Sequence, residues 1–397
     1  MRLVEISDAF EFARNGASIK QDPNASGIPI TRIETIWNST IDINRFGYAN
    51  VKKADEYKNY LLENGDILMS HINSPKHLGK CAIYEDKPDA LIHGMNLLNL
   101  RPLKNITFPK YIFYYLNTSR FKQQIFKISN QSVNQASFSS GNLKKLKIPL
   151  PPLAEQKKIA KILDAADSLR QKDQQLIDFY TALSQSLFFD MFGDPVTNPM
   201  GWDKVRLDSL GKITSGSTPS REIDEYYQGK IPWVKTAEVN GKLITKTSEF
   251  ISKAALKNSS CRLNSVGSLL IAMYGQGKTR GQVGKLGIEA ATNQACAVIP
   301  PSDDMNYNYL FLLLKLVYED LRQLGRGGNQ PNLNSGLIKS YQVISPPMNL
   351  QNQLAERIEI IEKQKQQAQA NLEKSEALFN SLLQHAFKGE LTESKAA

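Results

Sequence analysis

A long stretch of this chain occurs twice, and this repeat constrains the fold more than any other feature. One copy, NQASFSSGNLKKLKIPLPPLAEQKKIAKIL, begins at Asn134, and the other, NQPNLNSGLIKSYQVISPPMNLQNQLAERI, begins at Asn329. The offset of 195 residues holds without a gap for almost 60 residues. The chain is therefore expected to contain two structurally related halves.

The halves also match more loosely upstream, where the offset varies and insertions are implied. IPITR at Ile28 resembles IPWVK at Ile231, and NGDILMS at Asn64 resembles VGSLLIA at Val266. A variable region thus precedes each shared segment. The predicted organisation is a variable globular region over 1–150, a helix over 151–193, a second variable region over 194–345, a second helix over 346–389 and a polar tail over 390–397.

The shared segments have the apolar spacing of long helices, alternating between three and four residues. No Pro or Gly interrupts either run, Pro151 and Pro152 suit a first turn, and Gly193 and Gly389 follow the last apolar residues. Two such helices in one chain most simply pack on each other, the alternative being independent surface helices. The predicted contact positions are Leu163, Ile177, Tyr180, Leu187, Ile358, Ile361, Leu372, Phe379 and Leu382.

The excess positive charge lies in the variable regions. The chain carries a net charge of +10, with +7 over 1–150 and +5 over 194–345, whereas each helical segment with its flanking residues carries −1. Such a distribution favours a polyanionic partner for the variable regions, although it also suits solubility.

The variable regions are predicted to mix strands with helices, which makes the chain an α+β protein. GDILMS and GSLLIAMYG indicate short buried strands. Loops that follow them, from His71 to Lys80 and from Tyr274 to Lys285, combine Gly with cations and amides that suit phosphates and base edges. The candidate DNA-binding residues are Arg32, Lys76, His77, Lys80, Lys235, Tyr274, Gln276, Lys278, Arg280, Gln282 and Lys285.

Several other classes of protein are not favoured. The segment AMYGQGKT, which ends at Thr279, fits a relaxed P-loop pattern, but no helical period follows it, so nucleotide binding is not expected. There is no methyltransferase motif of the type NPPF or DPPY, and the four His show no zinc spacing. We therefore predict no catalytic residue, metal or cofactor on this chain.

The cellular setting is predicted from what the sequence lacks. The first residues, MRLVEISDAF, do not resemble a signal peptide, and no run of 18 apolar residues predicts a membrane span. The three scattered cysteines fit a reducing compartment. We expect a cytoplasmic protein.

Together these motifs resemble the specificity subunits of Type I restriction–modification enzymes. The resemblance rests on KIPLPPLAEQKKIAKIL, its partner VISPPMNLQNQLAERI, the terminal LLQHAFKGELT, and GSTPS followed by IPWVK. It covers essentially the whole chain. In the second motif, Asn349 and Leu350 replace the Ala and Glu of the first.

The resemblance implies two target-recognition domains, each reading one half of a split site in double-stranded DNA. It also implies that the helices form an antiparallel coiled coil with pseudo-twofold symmetry, set the domain spacing and dock two adenine methyltransferase subunits, to which motor–endonuclease subunits can be added. S-adenosylmethionine, ATP and Mg are then expected on those partners. The competing hypothesis is a coiled-coil interaction scaffold that does not bind DNA.

Overall fold

The computed structural model describes residues 2–275, 277–325 and 332–391. The chain divides into two compact units, Met1–Gln174 with Ala370–Ala397, and Gln175–Gln369. Both predicted long helices are continuous, Leu153–Phe192 (the first long helix) and Met348–Lys388 (the second long helix). Each unit therefore contains the first part of one long helix, the last part of the other, and a mixed globular region, as the α+β prediction requires.

The globular region of the first unit is built on a four-stranded sheet. The order across the sheet is Phe10–Asn15, Leu98–Pro102, Ile67–Met69 and Cys81–Ile83. Its other strands are Leu3–Glu5, Ile36–Trp37, Thr40–Ile41, Ile72–Asn73, Asn130–Gln131, Ala136–Ser137 and Lys147–Pro149, its helices are Ile6–Ala9, Pro109–Leu116, Ser119–Ile128 and Ser140–Lys144, and its 3-10 turns are Ile33–Thr35, Ile43–Arg45, Ala54–Tyr60 and Pro75–His77.

The second unit has a five-stranded sheet with a matching centre. The order is Thr214–Ser215, Cys296–Ile299, Leu269–Ala272, Val283–Leu286 and Leu243–Ile244. Its other strands are Lys204–Arg206, Ile231–Val234, Glu249–Ile251, Ala291–Thr292 and Gln342–Ile344, its helices are Lys253–Asn258, Tyr307–Leu316, Tyr318–Gln323 and Ser335–Ser340, and its 3-10 turns are Leu207–Leu210, Asp224–Tyr227 and Thr236–Glu238.

The strands predicted from GDILMS and GSLLIAMYG are the buried central strands of the two sheets. Both are apolar on consecutive positions because each is covered on both faces. The segments FPKYIFYYLNTSRFKQQIF and YNYLFLLLKLVYEDLRQL, whose sequences also predict helix, are helical, but each divides into two helices. In the first unit the division falls at Thr118, whose hydroxyl accepts a hydrogen bond from the Phe121 amide and so caps the second helix.

One tyrosine in each unit contacts both long helices at the same place. The Tyr111 hydroxyl donates to the Pro149 carbonyl (3.0 Å), just before the first long helix, while its ring packs on Phe387 near the end of the second (5.4 Å between centroids). In the second unit, Tyr309 donates to the carbonyl that precedes the second long helix (3.2 Å) and packs on Phe192 at the end of the first (5.2 Å). The two helices therefore run antiparallel.

A buried glutamine in each repeated motif fastens the start of a long helix to its globular region. The Gln156 Oε1 atom accepts from the Phe108 amide (2.8 Å), and its Nε2 donates to the Pro151 carbonyl (2.8 Å). Gln351 does the same, accepting from the Asn306 amide (2.9 Å) and donating to the carbonyl five residues before it (2.8 Å). These bonds give a structural reason for the repeated glutamine of PPLAEQ and PPMNLQ.

All the predicted contact positions are buried or half-buried. Near the helix ends several of them pack into the globular cores as well, such as Leu163 and Phe379 in the first unit. Polar seam residues are also buried, namely Asp173, Ser184 and Ser375. Leu163 and Leu372 are buried, and Ile177, Tyr180, Leu187, Ile358, Ile361, Phe379 and Leu382 are half-buried.

Candidate nucleic-acid interface

The two loops that the sequence singled out connect equivalent antiparallel strands. In the first unit, Ser70 donates to the Lys80 carbonyl (2.9 Å) and accepts from Gly79 (2.8 Å). In the second unit, Ala272 donates to the Gln282 carbonyl (2.9 Å) and accepts from the Gly281 amide (2.8 Å). The loops enclosed by these bonds, 71–78 (the first hairpin loop) and 273–280 (the second hairpin loop), are equal in length, so their residues correspond one to one.

This correspondence places a lysine at the same position of each hairpin loop. Lys76 aligns with Lys278, and both side chains are exposed. The sequence alone indicates that the strand segments before the two loops correspond. The equal length of the loops is established by the strand pairing. Two exposed cations at matching places suit contacts to phosphates in two related stretches of DNA.

Directly after each hairpin loop, a glycine packs against the equivalent helix of its unit, Ser119–Ile128 or Tyr318–Gln323. Gly79 has a φ of +72°, and a Cβ there would lie 3.3 Å from the Ile125 side chain. Gly281 has a φ of +84°, and a Cβ there would lie 2.8 Å from the Arg322 side chain. The Tyr318 hydroxyl also donates to the carbonyl of Lys278 (2.6 Å), so the second hairpin loop is fixed to its helix.

Cations cluster around the first hairpin loop. Burial lowers the pKa of Lys80, and the nearby positive charges of Lys122 and Lys76 lower it further. Burial, with Lys80 and Lys76, likewise lowers the pKa of His77. Such mutual repulsion is relieved when an anion binds, which makes the cluster suitable for phosphate. Lys122 was not predicted, since it lies on a helix far along the chain from the loop.

The prediction that Lys285 belongs to a loop is wrong. It lies within the strand Val283–Leu286, and its Nζ donates to the Asn308 side chain. Burial lowers the pKa of this amine. The strand begins directly after Gln282 because Val283 continues the buried central sheet, which overrides the glycine-rich local pattern.

Arg32 and Lys235 occupy equivalent positions at the starts of two 3-10 turns. The Arg32 amide donates to the Thr35 hydroxyl (2.8 Å), and the Lys235 amide donates to the Glu238 carboxylate (2.8 Å). Both side chains also form ion pairs, Arg32 with Glu34 (2.8 Å) and Lys235 with Glu249 (2.7 Å). The backbone bonds fix the main chain at these two positions, and the side chains lie at the surface in ion pairs.

The remaining candidates lie in or beside the second hairpin loop. Tyr274 and Lys278 are exposed, and Arg280 and Gln282 are partly buried. Gln276 lies outside the described residues.

The segment that fits the relaxed P-loop pattern is followed by a strand and not by a helix. The strand Val283–Leu286 follows the second hairpin loop, so no helix N-terminus points at a phosphate site there. Among the described residues, no group of His, Cys, Asp and Glu could hold a metal ion. The same residues contain no helix that is long and apolar enough to cross a membrane.

Comparison with known proteins identifies the family. The model of the type I restriction modification DNA specificity domain matches the chain twice, at residues 1–178 and 199–374. The chain belongs to this family. As a specificity subunit, it is the sequence-specific DNA-binding component of a type I restriction–modification system, and it is not catalytic by itself.

Individual relatives agree with this assignment. The chain is 33% identical to the type I restriction enzyme MjaX specificity subunit of Methanocaldococcus jannaschii, over 96% of this chain and 91% of that protein. It is 21% identical to the HindI specificity subunit of Haemophilus influenzae, over 75% and 80% of the two chains. The crystal structure of the S subunit from M. genitalium shares the fold, with a TM-score of 0.61, 14% identity and coverage of 97% and 96%. The hypothesis of a scaffold that does not bind DNA receives no support from these relatives.

Proposed function

We propose that residues 1–150 and 194–345 are two target-recognition domains and that each reads one half of a split site in double-stranded DNA through its hairpin loop. The observation that carries the proposal is the pair of equal loops with Lys76 and Lys278 at matching positions. Lys80, His77, Tyr274, Gln276, Arg280 and Gln282 supply further contacts in this proposal, and Arg32 and Lys235 are candidates beside them, whereas the Lys285 amine bonds to Asn308 from within a strand.

The long helices, over 151–193 and 346–389, set the separation of the two domains in this proposal, and the tail over 390–397 follows. The first long helix also offers a surface for a partner. Every seventh residue from Ile162, namely Leu169, Leu176 and Leu183, is an exposed apolar side chain, and Phe179 lies beside them. This row (the exposed stripe) has the spacing of a helix-packing seam, so it suits a helical partner.

We infer that the partners on the long helices are two DNA methyltransferase subunits and that motor–endonuclease subunits join the complex through them. The corresponding face of the second long helix is more polar, with Arg357, Gln364 and Asn371 at three of the four matching positions and the exposed Leu378 at the fourth. The two docking sites therefore differ in strength. S-adenosylmethionine, ATP and Mg are bound by the partners in this proposal, and the complex acts in the cytoplasm, where its cysteines remain thiols.

Single lysine substitutions test the two-reader proposal. In the full chain assembled with its methyltransferase subunits, Lys76→Ala and Lys278→Ala each remove one cation from the proposed DNA surface. Each variant is expected to bind specific DNA more weakly, and the slope of log affinity against log salt falls by about 0.9 for each phosphate that is no longer neutralised. The measurement is DNA affinity between about 50 and about 200 mM salt.

The matched control is Lys157→Ala, which removes an exposed lysine from the first long helix away from the exposed stripe. It should leave both affinity and slope unchanged. Unchanged slopes in both loop variants would contradict the placement of the hairpin loops on DNA.

A further inference from the structure

A short β-ribbon in the first unit is joined to the first hairpin loop. The strands Asn130–Gln131 and Ala136–Ser137 pair antiparallel and are connected by a tight turn, in which the Ser132 amide donates to the Gln135 carbonyl (2.7 Å). The second of these strands also pairs with Ile72–Asn73 of the first hairpin loop. The three strands form one small sheet. Residues 130–137 are called the ribbon.

The base of the ribbon is held by the core. Ala136 and Phe138 are buried, the Phe138 amide donates to the His71 carbonyl (3.0 Å), and the two rings meet edge to face (6.4 Å between centroids). The ribbon is thereby oriented by the same strand that leads into the hairpin loop. Its tip projects from a fixed base.

Packing does not explain why a valine occupies the tip of the ribbon. Val133 is 96% exposed and occupies the turn between the two strands. Turns favour Gly, Asn, Asp, Ser and Pro, whereas a β-branched apolar residue is disfavoured and gains nothing from exposure. A residue that breaks a local rule without a structural gain is a candidate for direct contact with a ligand.

The rest of the ribbon is uncharged and rich in amides. Asn130, Gln131, Asn134 and Gln135 are exposed, and no charged residue occurs from Ile128 through Leu143. Side-chain amides pair with adenine edges in the major groove, and an apolar side chain there meets the methyl group of thymine.

Cations lie on the first hairpin loop and on the neighbouring helix that carries Lys122. Lys76 and Lys122 lie close enough to Lys80 that their positive charges lower its pKa. The chemistry is thus divided, with cations for phosphates on the hairpin loop and its helix, and amides with a valine for bases on the ribbon. A two-stranded ribbon is narrow enough to enter the major groove.

We propose that the ribbon enters the major groove at the first half-site and that Val133 contacts the 5-methyl group of a thymine there. The inference rests on the proposed function, since it requires that the first domain reads DNA. It adds the structural element, the residue and the chemical group that is read.

The test removes the methyl group from the DNA and the side chain from the protein separately. Methylation mapping in cells that express the complex first identifies the half-site read by residues 1–150, as the one that changes when that region is exchanged. The assembled complex is then titrated with duplexes in which each thymine of that half-site is replaced, one at a time, by uracil. Removal of one buried methyl group is expected to weaken wild-type binding about four-fold at one position.

In Val133→Ala that thymine should no longer matter, so the uracil duplex and the thymine duplex bind equally. Val196→Ala, which shortens another exposed valine, should keep the four-fold effect. The coupling between one methyl group and one side chain distinguishes direct contact from a general disturbance of the fold.

The inference is overturned if no uracil substitution in the first half-site matters, if Val133→Ala retains the effect, or if that half-site contains only G·C pairs. Coupling of Val133 to a thymine of the second half-site overturns it as well. In the first three cases specific binding persists and the proposed function stands, whereas coupling of Val133 to the second half-site would also contradict the proposal that each domain reads one half. Absence of any sequence preference in the wild-type complex would instead contradict the proposed function, and the inference with it.

Discussion

A buried histidine makes the first unit sensitive to acid. The His93 Nε2–H donates to the Leu97 carbonyl (2.9 Å), while its Nδ1 has no hydrogen-bond partner among the described residues. Burial lowers the pKa of His93 to about 4, and the positive charge of Arg14 acts in the same direction. Protonation would bury a charged ring with an unpaired N–H group, so the folded state resists it.

The sign of the resulting pH effect follows from the lowered pKa. Between about pH 6.5 and about pH 4, the His93 ring binds a proton in the unfolded state but not in the folded state, so stability falls as the pH falls. From about pH 7.5 to about pH 5, the free energy of unfolding of the first unit should decrease by about 2 kcal/mol through this group. Hydrogen exchange resolved by peptide, corrected for its intrinsic pH dependence, measures this decrease.

His93→Gln should remove that pH dependence, because the amide can still donate to the Leu97 carbonyl but does not titrate. His385→Gln, at an exposed site, should retain it. All four histidines of the chain lie in the first unit, so peptides of the second unit are an internal reference. Equal acid sensitivity of wild type and His93→Gln would show that another group is responsible.

At the scale of elements, the long helices were the most predictable feature and the loop surface the least. Helix periodicity is local, so the predicted spans 151–193 and 346–389 agree closely with Leu153–Phe192 and Met348–Lys388. The neighbours of the first hairpin loop depend on pairing with residues that are distant in sequence. Neither the Ile72–Asn73 pairing with the ribbon nor the approach of Lys122 could be inferred from local patterns.

The exposed stripe gives a prediction for assembly. Leu169→Glu with Leu176→Glu places two carboxylates among the apolar side chains of the first long helix. Since Leu169 is 46% exposed and Leu176 44% exposed, the fold should tolerate the change. Affinity for the methyltransferase subunit should fall by at least about ten-fold, because each charge must be desolvated at the interface. Mass photometry of the mixed subunits measures this decrease.

A control with equal added charge uses exposed sites outside the stripe on the same helix, Ala182→Glu with Gln185→Glu. It should leave assembly unchanged. If the control and the stripe variant assemble equally well with two methyltransferase subunits, the stripe is not a docking surface.

The whole molecule is organised so that each globular region begins and ends at one place. In the first unit, Leu3–Glu5 pairs antiparallel with Lys147–Pro149, directly before the first long helix. In the second unit, Lys204–Arg206 pairs in the same way with Gln342–Ile344. A region closed by its own terminal strands can be exchanged without rerouting the chain.

The contacts that join these regions to the long helices are also equivalent. Gln156 and Gln351 accept a hydrogen bond from the backbone amide at the same position of each globular region. The rings of Tyr111 and Tyr309 pack on Phe387 and Phe192, respectively. The second region should therefore fit in the place of the first. The duplication predicts that recognition follows the region itself rather than its position in the chain.

Replacing residues 2–150 with a second copy of 203–345 tests this expectation at the scale of the molecule. The hybrid, expressed with its methyltransferase partner, should methylate a site that carries the second half-site sequence in both halves, because both positions now hold the same reader. Long-read methylation mapping gives the sites. The reciprocal hybrid, with 2–150 in the second position, should methylate a site built from the first half-site alone. Methylation of the original split site by either hybrid, or two new half-site sequences in one of them, would contradict independent reading, because each domain would then depend on its partner for specificity.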